Sequence, residues 1–385
     1  MSTVGEVMAL IRDRRDVTRA EIGQLTGLSR TAVAARVAVL TDLGLVVETE
    51  QAPSTGGRPA ALLSFNADNG VVLSAAIGRS RTRVAVCNLA GDVLDLTDID
   101  QQPDLGPGDL MPDVVKRLDA LMDARAGAHV YGIGVSLPGT VDRVRGASLD
   151  SPILPGWDGV ELRPYLRELT DAPVVVDNDV NVIALTERHR GEPRDGHGER
   201  RAIDDLLVLK ASTGIGAGII AGGVLQRGAV QAAGELGHNK TPAAAGLPCR
   251  CGDSGCLEAI AGGWALVAEL GRDGVNHVRD LVRLAHDGDA DARRMIRDSG
   301  RHVGEVIAAA VNLLNPAVLV VAGDMARAYE IFVAGLRETL YGNATALATR
   351  TLQVAPSTYG DRSGVIGCAS MVLDEVLSPQ AIDAL

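Results

Sequence analysis

Aromatic residues, lysine and long apolar runs are scarce in this sequence of 385 residues. Tryptophan, tyrosine and phenylalanine together number nine, and three lysines stand against 34 arginines, an imbalance that we attribute to codon bias. The apolar stretch at 317–322 is far shorter than the roughly 20 residues of a membrane span. The first residues, which include Glu6 and Arg12, contain no apolar core of a signal peptide. We therefore expect a cytoplasmic protein that has no membrane contact.

Basic residues are also in deficit. The chain has 37 Lys and Arg against 49 Asp and Glu, a formal charge of −12, which argues against a protein coated with basic surface for nucleic acid. The deficit is uneven, because residues 1–60 contain seven arginines and seven acids, and the remainder carries the whole −12. A chain of this length corresponds to two or three domains. The charge of the larger part therefore hides a neutral N-terminal segment.

The first 66 residues have the pattern of a winged helix-turn-helix. Apolar residues recur at helical spacing over 4–11, which predicts a first helix. Thr18 and Glu21 form a capping box that opens a short second helix, and Gly27 supplies the turn after it. Ser29 caps a third helix, which in this motif enters the major groove of DNA. The candidate DNA contacts on this helix are Ser29, Arg30, Thr31, Ala34 and Arg36.

Two predicted strands follow, at 44–48 and 61–65, and they enclose a flexible tip at 54–59. This hairpin has the form of a wing, and Arg58 at its tip is placed to enter a minor groove. A neutral module would bind DNA weakly as a single copy, so we expect two copies on one operator and hence a dimer. The alternative is a three-helix bundle used for protein contacts.

From residue 70 onward, short apolar strands alternate with glycine turns and helices. The same rhythm occurs twice: at 71–78, 82–88 and 91–94, then at 206–210, 212–220 and 223–225. Two such units about 135 residues apart indicate an internal duplication. Helical segments follow both units, so we predict an α/β class with two similar lobes and a cleft between them.

Several ordered motifs resemble the ROK family, which groups bacterial sugar kinases with transcriptional repressors that respond to sugars. They are GIGVSLPG at 132–139, VDNDVN at 176–181, GELGH at 234–238, CRCGDSGCLE at 249–258 and NPAVLVVAG at 315–323. The resemblance implies a two-lobed actin-like, sugar-kinase (ribonuclease H-like) fold behind the winged helix-turn-helix, a structural zinc, and a homodimer or homotetramer. The implied domains are the winged helix-turn-helix at 1–66, a first lobe at 70–195 completed by a helix at about 360–378, and a second lobe with the zinc site at 200–360.

Three of the five cysteines crowd into one segment, at Cys249, Cys251 and Cys256, and His238 lies eleven positions before the first. Crowding of this kind in a chain without a signal peptide indicates metal rather than disulfides. Three thiolates and one imidazole form a closed tetrahedral shell, so the Zn²⁺ would be structural. The alternative is three free cysteines on a mobile loop. The other two cysteines lie in apolar contexts and are expected to be packed thiols: Cys87 and Cys368.

A sugar pocket needs carboxylates and amides that each hold two hydroxyl groups. Asn178 and Asp179 follow an apolar strand at 174–176, and such folds place ligands at the C-terminal ends of strands. The resemblance implies that Asp179 matches the base of ROK kinases, which removes a proton from the hydroxyl to be phosphorylated. Taken singly, each acid is more often a helix cap or a solvated charge, but their order together favours a ligand site. The remaining ligand-binding candidates are Glu235, His238, Glu258, and Pro138 and Gly139 on the opposite wall.

Phosphoryl transfer needs glycine-rich loops for phosphates and an acid that places Mg²⁺. The first phosphate loop of ROK kinases runs Asp-x-Gly-Gly-Thr, and the matching stretch here is Ala76-Ile77-Gly78-Arg79-Ser80. Ala76 replaces the acid, and Arg79 fills the space of the second glycine. The second loop, at 212–216, survives. We therefore predict no enzymatic activity, no catalytic residue, and a vestigial base at Asp179.

The function predicted from these features is a sugar-responsive DNA-binding regulator, a repressor of genes for carbohydrate uptake or catabolism. Its expected partners are operator DNA and an effector, which is a sugar or, because Arg79 could accept a phosphate, a sugar phosphate. Two alternatives remain open. One is an active ATP-dependent, glucokinase-like sugar kinase that carries a DNA-binding head, and the other is a DNA-binding protein regulated by a protein partner.

Overall fold

The computed structural model describes residues 2–14, 16–49, 61–102, 105–149, 154–188, 193–194, 199–200 and 202–385. Over these ranges the chain forms an N-terminal group of three helices with a small sheet, then two five-stranded sheets with their helices. None of the helices in these ranges is both long enough and apolar enough to cross a membrane. The predicted tip at 54–59, with Arg58, lies outside the described residues.

The N-terminal group has a helix at each of the three predicted places. Thr18 and Glu21 cap each other's backbone amides at the start of the second helix, as the capping box predicted, and this helix ends at Gly27 with φ +70°. Ser29 caps the third helix through its hydroxyl oxygen, which accepts a hydrogen bond from a backbone amide at 3.3 Å. The three helices are α1 Val4–Arg14, α2 Arg19–Thr26 and α3 Arg30–Asp42.

A three-stranded antiparallel sheet accompanies these helices, in the order β1-β3-β2. Its strands are β1 Asp16–Thr18, β2 Val46–Thr49 and β3 Leu62–Phe65. The sequence analysis predicted β2 and β3 but not β1. Three residues are too few for an alternating pattern to be visible, and β1 exists because it pairs with β3 and buries Val17.

The two larger sheets have the same topology, as the internal duplication predicted. In each sheet the first strand pairs antiparallel with the second, the second with the third, and two later strands add in parallel on the other side of the first. The orders are β10-β7-β4-β5-β6 and β15-β14-β13-β16-β17. The strands of the first sheet are β4 Val71–Ile77, β5 Arg81–Asn88, β6 Val93–Asp100, β7 Val130–Leu137 and β10 Val174–Asn178, and those of the second are β13 Leu206–Ala211, β14 Ile215–Ala221, β15 Val224–Leu225, β16 Val318–Ala322 and β17 Gln353–Pro356. Two further pairs of short strands lie outside these sheets: β8 Val141–Asp142 with β9 Ala147–Ser148, and β11 Pro193–Arg194 with β12 Glu199–Arg200.

Two helices separate the sheets. Helix α6 (Asp179–Arg188) packs on β13 and β14 of the second sheet, helix α13 (Ser363–Val376) packs on β4 and β7 of the first, and the two helices pack on each other. Helices α10 (Ala290–Leu314) and α11 (Tyr329–Asn343) lie together in the core of the second lobe. The remaining helices complete the list: α4 Pro107–Asp123, α5 Arg163–Leu166, α7 Glu258–Ala261, α8 Gly263–Leu270, α9 Val278–His286, α12 Ala346–Thr349 and α14 Pro379–Asp383.

Glycines set the close approach of α13 to its neighbours. A Cβ atom added to Gly134 on β7 would lie 2.2 Å from the carbonyl oxygen of Cys368, and one added to Gly367 would lie 2.1 Å from that of Val182 on α6. No side chain fits at either contact, because non-bonded carbon atoms need about 3.5 Å. Gly134, the second glycine of the GIGVS motif, therefore lets α13 lie directly on the first sheet.

The C-terminal helix α14 joins the N-terminal group to the first lobe. It packs on α1, where the amide of Gly5 donates a hydrogen bond of 2.8 Å to the Asp383 carboxylate. Buried side chains of α1 and α3, of β4 and β5, and of α13 and α14 form one continuous apolar cluster. The N-terminal helices are thus packed onto the rest of the molecule.

Candidate functional site

A cleft with a volume of about 340 Å³ lies between the two lobes. It is closed by the ends of β4, β7 and β10 on one side and by the β13–β14 loop on the other. All of the ligand-binding residues predicted from the sequence line it: Pro138, Gly139, Asn178, Asp179, Glu235, His238 and Glu258. The arrangement thus brings together side chains that are up to 120 residues apart in the chain.

Asn178 ends β10 and holds the start of α6 in place. Its side-chain oxygen accepts hydrogen bonds from the backbone amides of Val180 and Asn181, at 2.8 and 3.2 Å, and its amide nitrogen donates to the carbonyl of Gly139 at 2.8 Å. These bonds use much of the hydrogen-bonding capacity of the Asn178 side chain, which the sequence analysis expected to contact sugar hydroxyls. Asn178 therefore positions the neighbouring Asp179 and links it to the Pro138–Gly139 wall.

Asp179 forms an ion pair with Lys210 of β13 across the cleft. Both side chains are largely buried, 13% exposed for the aspartate and 24% for the lysine. Lys210 is not among the residues predicted from the sequence, because codon bias alone accounts there for the scarcity of lysine. A signal was available, since Lys210 is one of three lysines and interrupts the apolar strand 206–211.

Glu235 and His238 lie together on a short turn that faces the cleft. His238 Nε2 is 3.7 Å from the Glu235 carboxylate. Burial raises the pKa of Glu235 above its ordinary value, the nearby His238 opposes this shift, and the carboxylates of Asp179 and Glu258 add to it. The cleft therefore concentrates three acids at this end, where they can accept hydrogen bonds from hydroxyl groups.

Glu258 braces the second glycine loop. One of its oxygens accepts a hydrogen bond from the Ile215 amide at 2.9 Å, and the other accepts from the Trp264 indole at 3.0 Å. Its side chain is 2% exposed. A Cβ atom on Gly214 would lie 2.6 Å from the carboxylate, so a larger residue there would displace the carboxylate. Glu258 thus ties the 212–216 loop to the same end of the cleft.

His238 also belongs to a cluster of potential metal ligands. Its ligand atom and the sulfur atoms of Cys249, Cys251 and Cys256 all lie within 4.8 Å of one another. The Cys251 and Cys256 sulfur atoms are 3.7 Å apart, and His238 Nδ1 lies 3.8 Å from the Cys249 sulfur. A tetrahedral zinc centre separates its sulfur ligands by about 3.8 Å. These four residues could therefore hold a metal ion, with the other ring nitrogen of His238 facing Glu235.

The other end of the cleft contains the turn after β4. Gly78, Arg79 and Ser80 line it, and Arg279 of α9 reaches from the second lobe to within 3.5 Å of the Ser80 hydroxyl oxygen. His277 precedes α9 and lies 3.2 Å from the Thr213 hydroxyl. The turn was predicted from the sequence, but His277 and Arg279 were not, because nothing in the local pattern at 277–279 indicates which way they point.

His277 has a lowered pKa. Burial is the main cause, and the charges of Arg279 and Arg81 lower it further, while Asp324 and Asp280 oppose the shift. The neutral imidazole is therefore favoured at this end of the cleft, beside a concentration of arginine side chains.

Four of the five DNA-binding candidates on α3 and its cap are exposed: Ser29, Arg30, Thr31 and Ala34. Arg36 is different and corrects the prediction that it faces outward. It is half-buried, and its guanidinium donates to the carbonyl of Ser2 at 2.7 Å and to that of Ala32 at 3.1 Å. Arg36 therefore fastens the N-terminal residues to α3, an arrangement that a helical pattern alone does not reveal.

The fold and cleft together define a two-lobed α/β protein of the sugar-kinase type. A sequence model of the ROK protein family matches residues 72–375 of the chain. The chain therefore belongs to this family. The resemblance stated from the motifs is thereby confirmed.

Two relatives that match over nearly the full length are transcriptional regulators by name. The chain is 28% identical to a xylose repressor of Caldicellulosiruptor bescii, over 97% of this chain and 95% of the relative. It is 27% identical to the DNA-binding transcriptional dual regulator NagC of Escherichia coli, over 97% of this chain and 92% of the relative.

Solved structures include both branches of the family. A ROK family transcriptional regulator, a homologue of the E. coli Mlc protein, superposes with a TM-score of 0.79 at 26% identity, covering 98% of this chain and 96% of that one. A ROK family glucokinase from Streptomyces griseus, in complex with glucose and AMPPNP, has a TM-score of 0.64 at 25% identity and covers 78% of this chain and 99% of that one.

Proposed function

We propose that this protein is a sugar-responsive transcriptional repressor. One observation carries the proposal: the N-terminal helices, with the exposed start of α3, pack onto the domain that contains the cleft. This cleft is lined by Asp179, Glu235, His238 and Glu258. Full-length similarity to a xylose repressor and to NagC supports it.

In this proposal, residues 1–66 form a winged helix-turn-helix. Ser29, Arg30, Thr31 and Ala34 face the major groove, and Arg58 follows the minor groove. Arg36 is left out because it is engaged with the backbone of Ser2 and Ala32. Two copies act on one operator, as a homodimer or within a homotetramer, since a single neutral module binds DNA weakly.

The effector binds between a first lobe at 70–195, completed by the helix at about 360–378, and a second lobe at 200–360. The carboxylates of Asp179, Glu235 and Glu258 accept hydrogen bonds from sugar hydroxyls, and Pro138–Gly139 form the opposite wall. Such a ligand can shift an equilibrium only by binding one conformation more tightly, so effector and operator bind either antagonistically or cooperatively. We propose antagonism, which is the commoner design.

We assign a structural Zn²⁺ to His238, Cys249, Cys251 and Cys256. The donor set of three thiolates and one imidazole and the spacing of their atoms fit this ion. When bound, it supplies a closed, non-catalytic crosslink. His238 would thereby be held with its Nε2 atom directed at Glu235, at the end of the cleft that contains the three acids.

We also propose that kinase activity is lost. Ala76 stands where the metal-placing acid is expected, Arg79 occupies the turn, and Lys210 neutralises Asp179. Asp324, the acid at the β16 end of the cleft, accepts a hydrogen bond from the Ser212 hydroxyl.

The test measures operator binding and catalysis with the same preparation. An operator is selected from random duplex DNA, and its affinity is followed by fluorescence anisotropy with millimolar xylose, glucose, N-acetylglucosamine and their phosphate esters. The proposal expects at least one compound to weaken operator binding tenfold or more. Operator affinity unchanged by every compound contradicts it. ATP turnover with any of these sugars that disappears in Asp179→Asn would restore the kinase alternative.

A further inference from the structure

The segments that carry the candidate effector contacts meet a second time, at the side chain of Asp177. This residue lies on β10, two positions before Asp179, and it is 2% exposed. Arg227, in the loop between β15 and Glu235, donates to its Oδ2 atom at 2.8 Å. Arg143, in the turn between β8 and β9, has its Nε atom 3.3 Å from the same oxygen. These three described side chains lie outside the cleft lining.

Both oxygen atoms of the Asp177 carboxylate are engaged. While Oδ2 contacts the two guanidinium groups, Oδ1 accepts hydrogen bonds from the Asn181 side chain at 2.9 Å and from the Asn178 backbone amide at 2.7 Å. The side chain of Asn178 donates in turn to the carbonyl of Gly139 at 2.8 Å. The Pro138–Gly139 wall, the Asp179 segment and the Arg227 loop are thus all joined through this one carboxylate.

The loop that contains Arg227 is tightly bonded and ends at Glu235. The carbonyl of Arg227 accepts a hydrogen bond from the Ala233 amide at 3.0 Å, which closes the loop on itself. Gly234 follows with φ +95°, and its carbonyl accepts from the Ala217 amide of β14 at 2.8 Å. A Cβ atom on Gly234 would lie 1.8 Å from the carbonyl oxygen of Ala217, so backbone lies directly on backbone there. The position of Arg227 is therefore transmitted to Glu235.

The cluster contains two positive charges and one negative charge. The side chains of Arg143 and Arg227 are 31% and 22% exposed, so both guanidinium groups are largely withdrawn from water. Burial lowers the pKa of Arg143, and the charge of Arg227 lowers it further. The charges of Asp177 and Glu375 oppose this shift. Without the Asp177 charge, the attraction between these segments would become a repulsion between two guanidinium groups.

We propose that Asp177 is a positioning residue for the effector site, which holds the Glu235 segment in place relative to Asp179 through its ion pair with Arg227. The inference rests on the proposed function and adds to it a residue that acts without touching the effector. The pair joins the end of β10 in the first sheet to a loop of the second sheet, so it stabilises the arrangement in which both carboxylates face one ligand. When this arrangement is less populated, the apparent affinity for the effector falls by the same factor.

The test compares the full-length wild type with Asp177→Asn, with the double variant Asp177→Asn/Arg143→Met and with Glu161→Gln. Glu161 is the control because it pairs with Arg145 at 3.4 Å and both side chains are about half exposed. Calorimetry measures the binding of xylose, glucose, N-acetylglucosamine and their phosphate esters, and anisotropy measures operator release by each. Loss of a hydrogen bond to a charged group weakens binding by about ten- to hundredfold. We expect this loss in Asp177→Asn, partial recovery in the double variant, and no change in Glu161→Gln.

A positioning role also separates two properties of operator release. The effector concentration for half-release should rise in Asp177→Asn, while the release at saturating effector stays complete. Reduced release at saturation without a change in the half-point would refute the inference, and so would equal weakening in Asp177→Asn and the double variant. Arg227→Gln breaks the same ion pair and leaves Asp177 beside Arg143, so it repeats the test if Asp177→Asn does not fold. Unchanged effector affinity in Arg227→Gln contradicts the inference.

Hydrogen exchange supplies a readout that needs no effector. The backbone amides at 226–235 should exchange at least about tenfold faster in Asp177→Asn than in the wild type, and the double variant should recover part of the protection. Unchanged exchange in this segment refutes the inference even when a sugar releases the operator. Failure of every compound to release the operator contradicts the proposed function instead, and the exchange of 226–235 then decides whether Asp177 positions the segment.

Discussion

Substitution of Gly5 by alanine tests the contact between the N-terminal helices and the C-terminal helix. Gly5 is the second residue of α1, and a Cβ atom there would lie 2.1 Å from the carbonyl oxygen of Pro379 and 2.4 Å from its Cα atom. Both atoms are backbone, so no side chain can rotate away. Helices α1 and α14 would have to separate by more than about 1 Å to restore normal contact distances.

The expected cost can be worked out from opposing effects. Overpacking costs about 1–3 kcal/mol, and weakening the hydrogen bond between the Gly5 amide and Asp383 costs about 0.5–1.5 kcal/mol more. Alanine recovers up to about 1 kcal/mol, because it favours the helix more than glycine does. We therefore expect a net loss of about 0.5–4.5 kcal/mol, with a mid-range value of about 2.5 kcal/mol, in the stability of the α1–α14 contact.

Gly108→Ala is the matched control. Gly108 is likewise the second residue of its helix, α4, and nothing lies within 4 Å of the Cβ position. This substitution should be neutral or stabilise the protein by up to about 1 kcal/mol. The control therefore measures the change in stability that comes from the helix propensity of alanine alone, without the clash with Pro379.

Hydrogen exchange is the suitable assay, because a chain with several lobes need not unfold in one step. Protection of the amides in α1 and α14 should fall by about ten- to hundredfold in Gly5→Ala, with little change in α10 and α11. Unchanged protection of α1 and α14 in Gly5→Ala would refute the claim that the two helices are packed through this glycine.

Three further substitutions test the proposed sites. Arg30→Ala should weaken operator binding by about ten- to hundredfold, through loss of a charged DNA contact, and leave effector affinity unchanged in calorimetry; equal loss of both would indicate unfolding instead. Asp179→Ala should abolish the response to effector while the operator still binds, and an anisotropy titration that still shows release would argue against the assignment. Cys251→Ser should lower the zinc content measured by atomic absorption, whereas the buried Cys87→Ser should not; unchanged zinc in Cys251→Ser would rule out the four-ligand shell.

The features that the sequence predicts well are those with a local pattern. The capping box at Thr18 and Glu21, the repeated strand units and the spacing of Cys249, Cys251 and Cys256 each depend on residues that are close in the chain. The short strand β1 and the hydrogen bond of Arg36 to a backbone carbonyl depend instead on partners far away, β3 and Ser2. No periodicity contains that information.

Charge partners across the cleft are the other limit of sequence reasoning. Asp179 was found as part of a motif, but Lys210 lies 31 residues later on another sheet, and its pairing depends on how the two lobes face each other. Arg279 is nearly 200 residues from Ser80. The only local sign of such a contact in the sequence is an unusual residue type in an apolar strand, such as Lys210.

Helix α13 provides a physical connection between the cleft and the N-terminal helices. Its first turn touches the end of β4, where a Cβ atom on Gly364 would lie 2.9 Å from that of Ala76, and the carbonyl of Ser363 accepts a hydrogen bond from Thr186 of α6 at 3.0 Å. The helix is about 20 Å long, and it continues through one short turn into α14, which lies on α1.

The glycine contacts of α13 allow little sliding. Because Gly134 and Gly367 bring backbone against backbone, α13 cannot follow α6, which packs on the second sheet, without changing its contact with β7 of the first sheet. A ligand that alters the distance between the lobes must therefore repack this helix, and α14 and α1 move with it. On this reasoning Gly5→Ala should leave effector affinity unchanged and reduce the effect of effector on operator binding, because it loosens the last contact in the series.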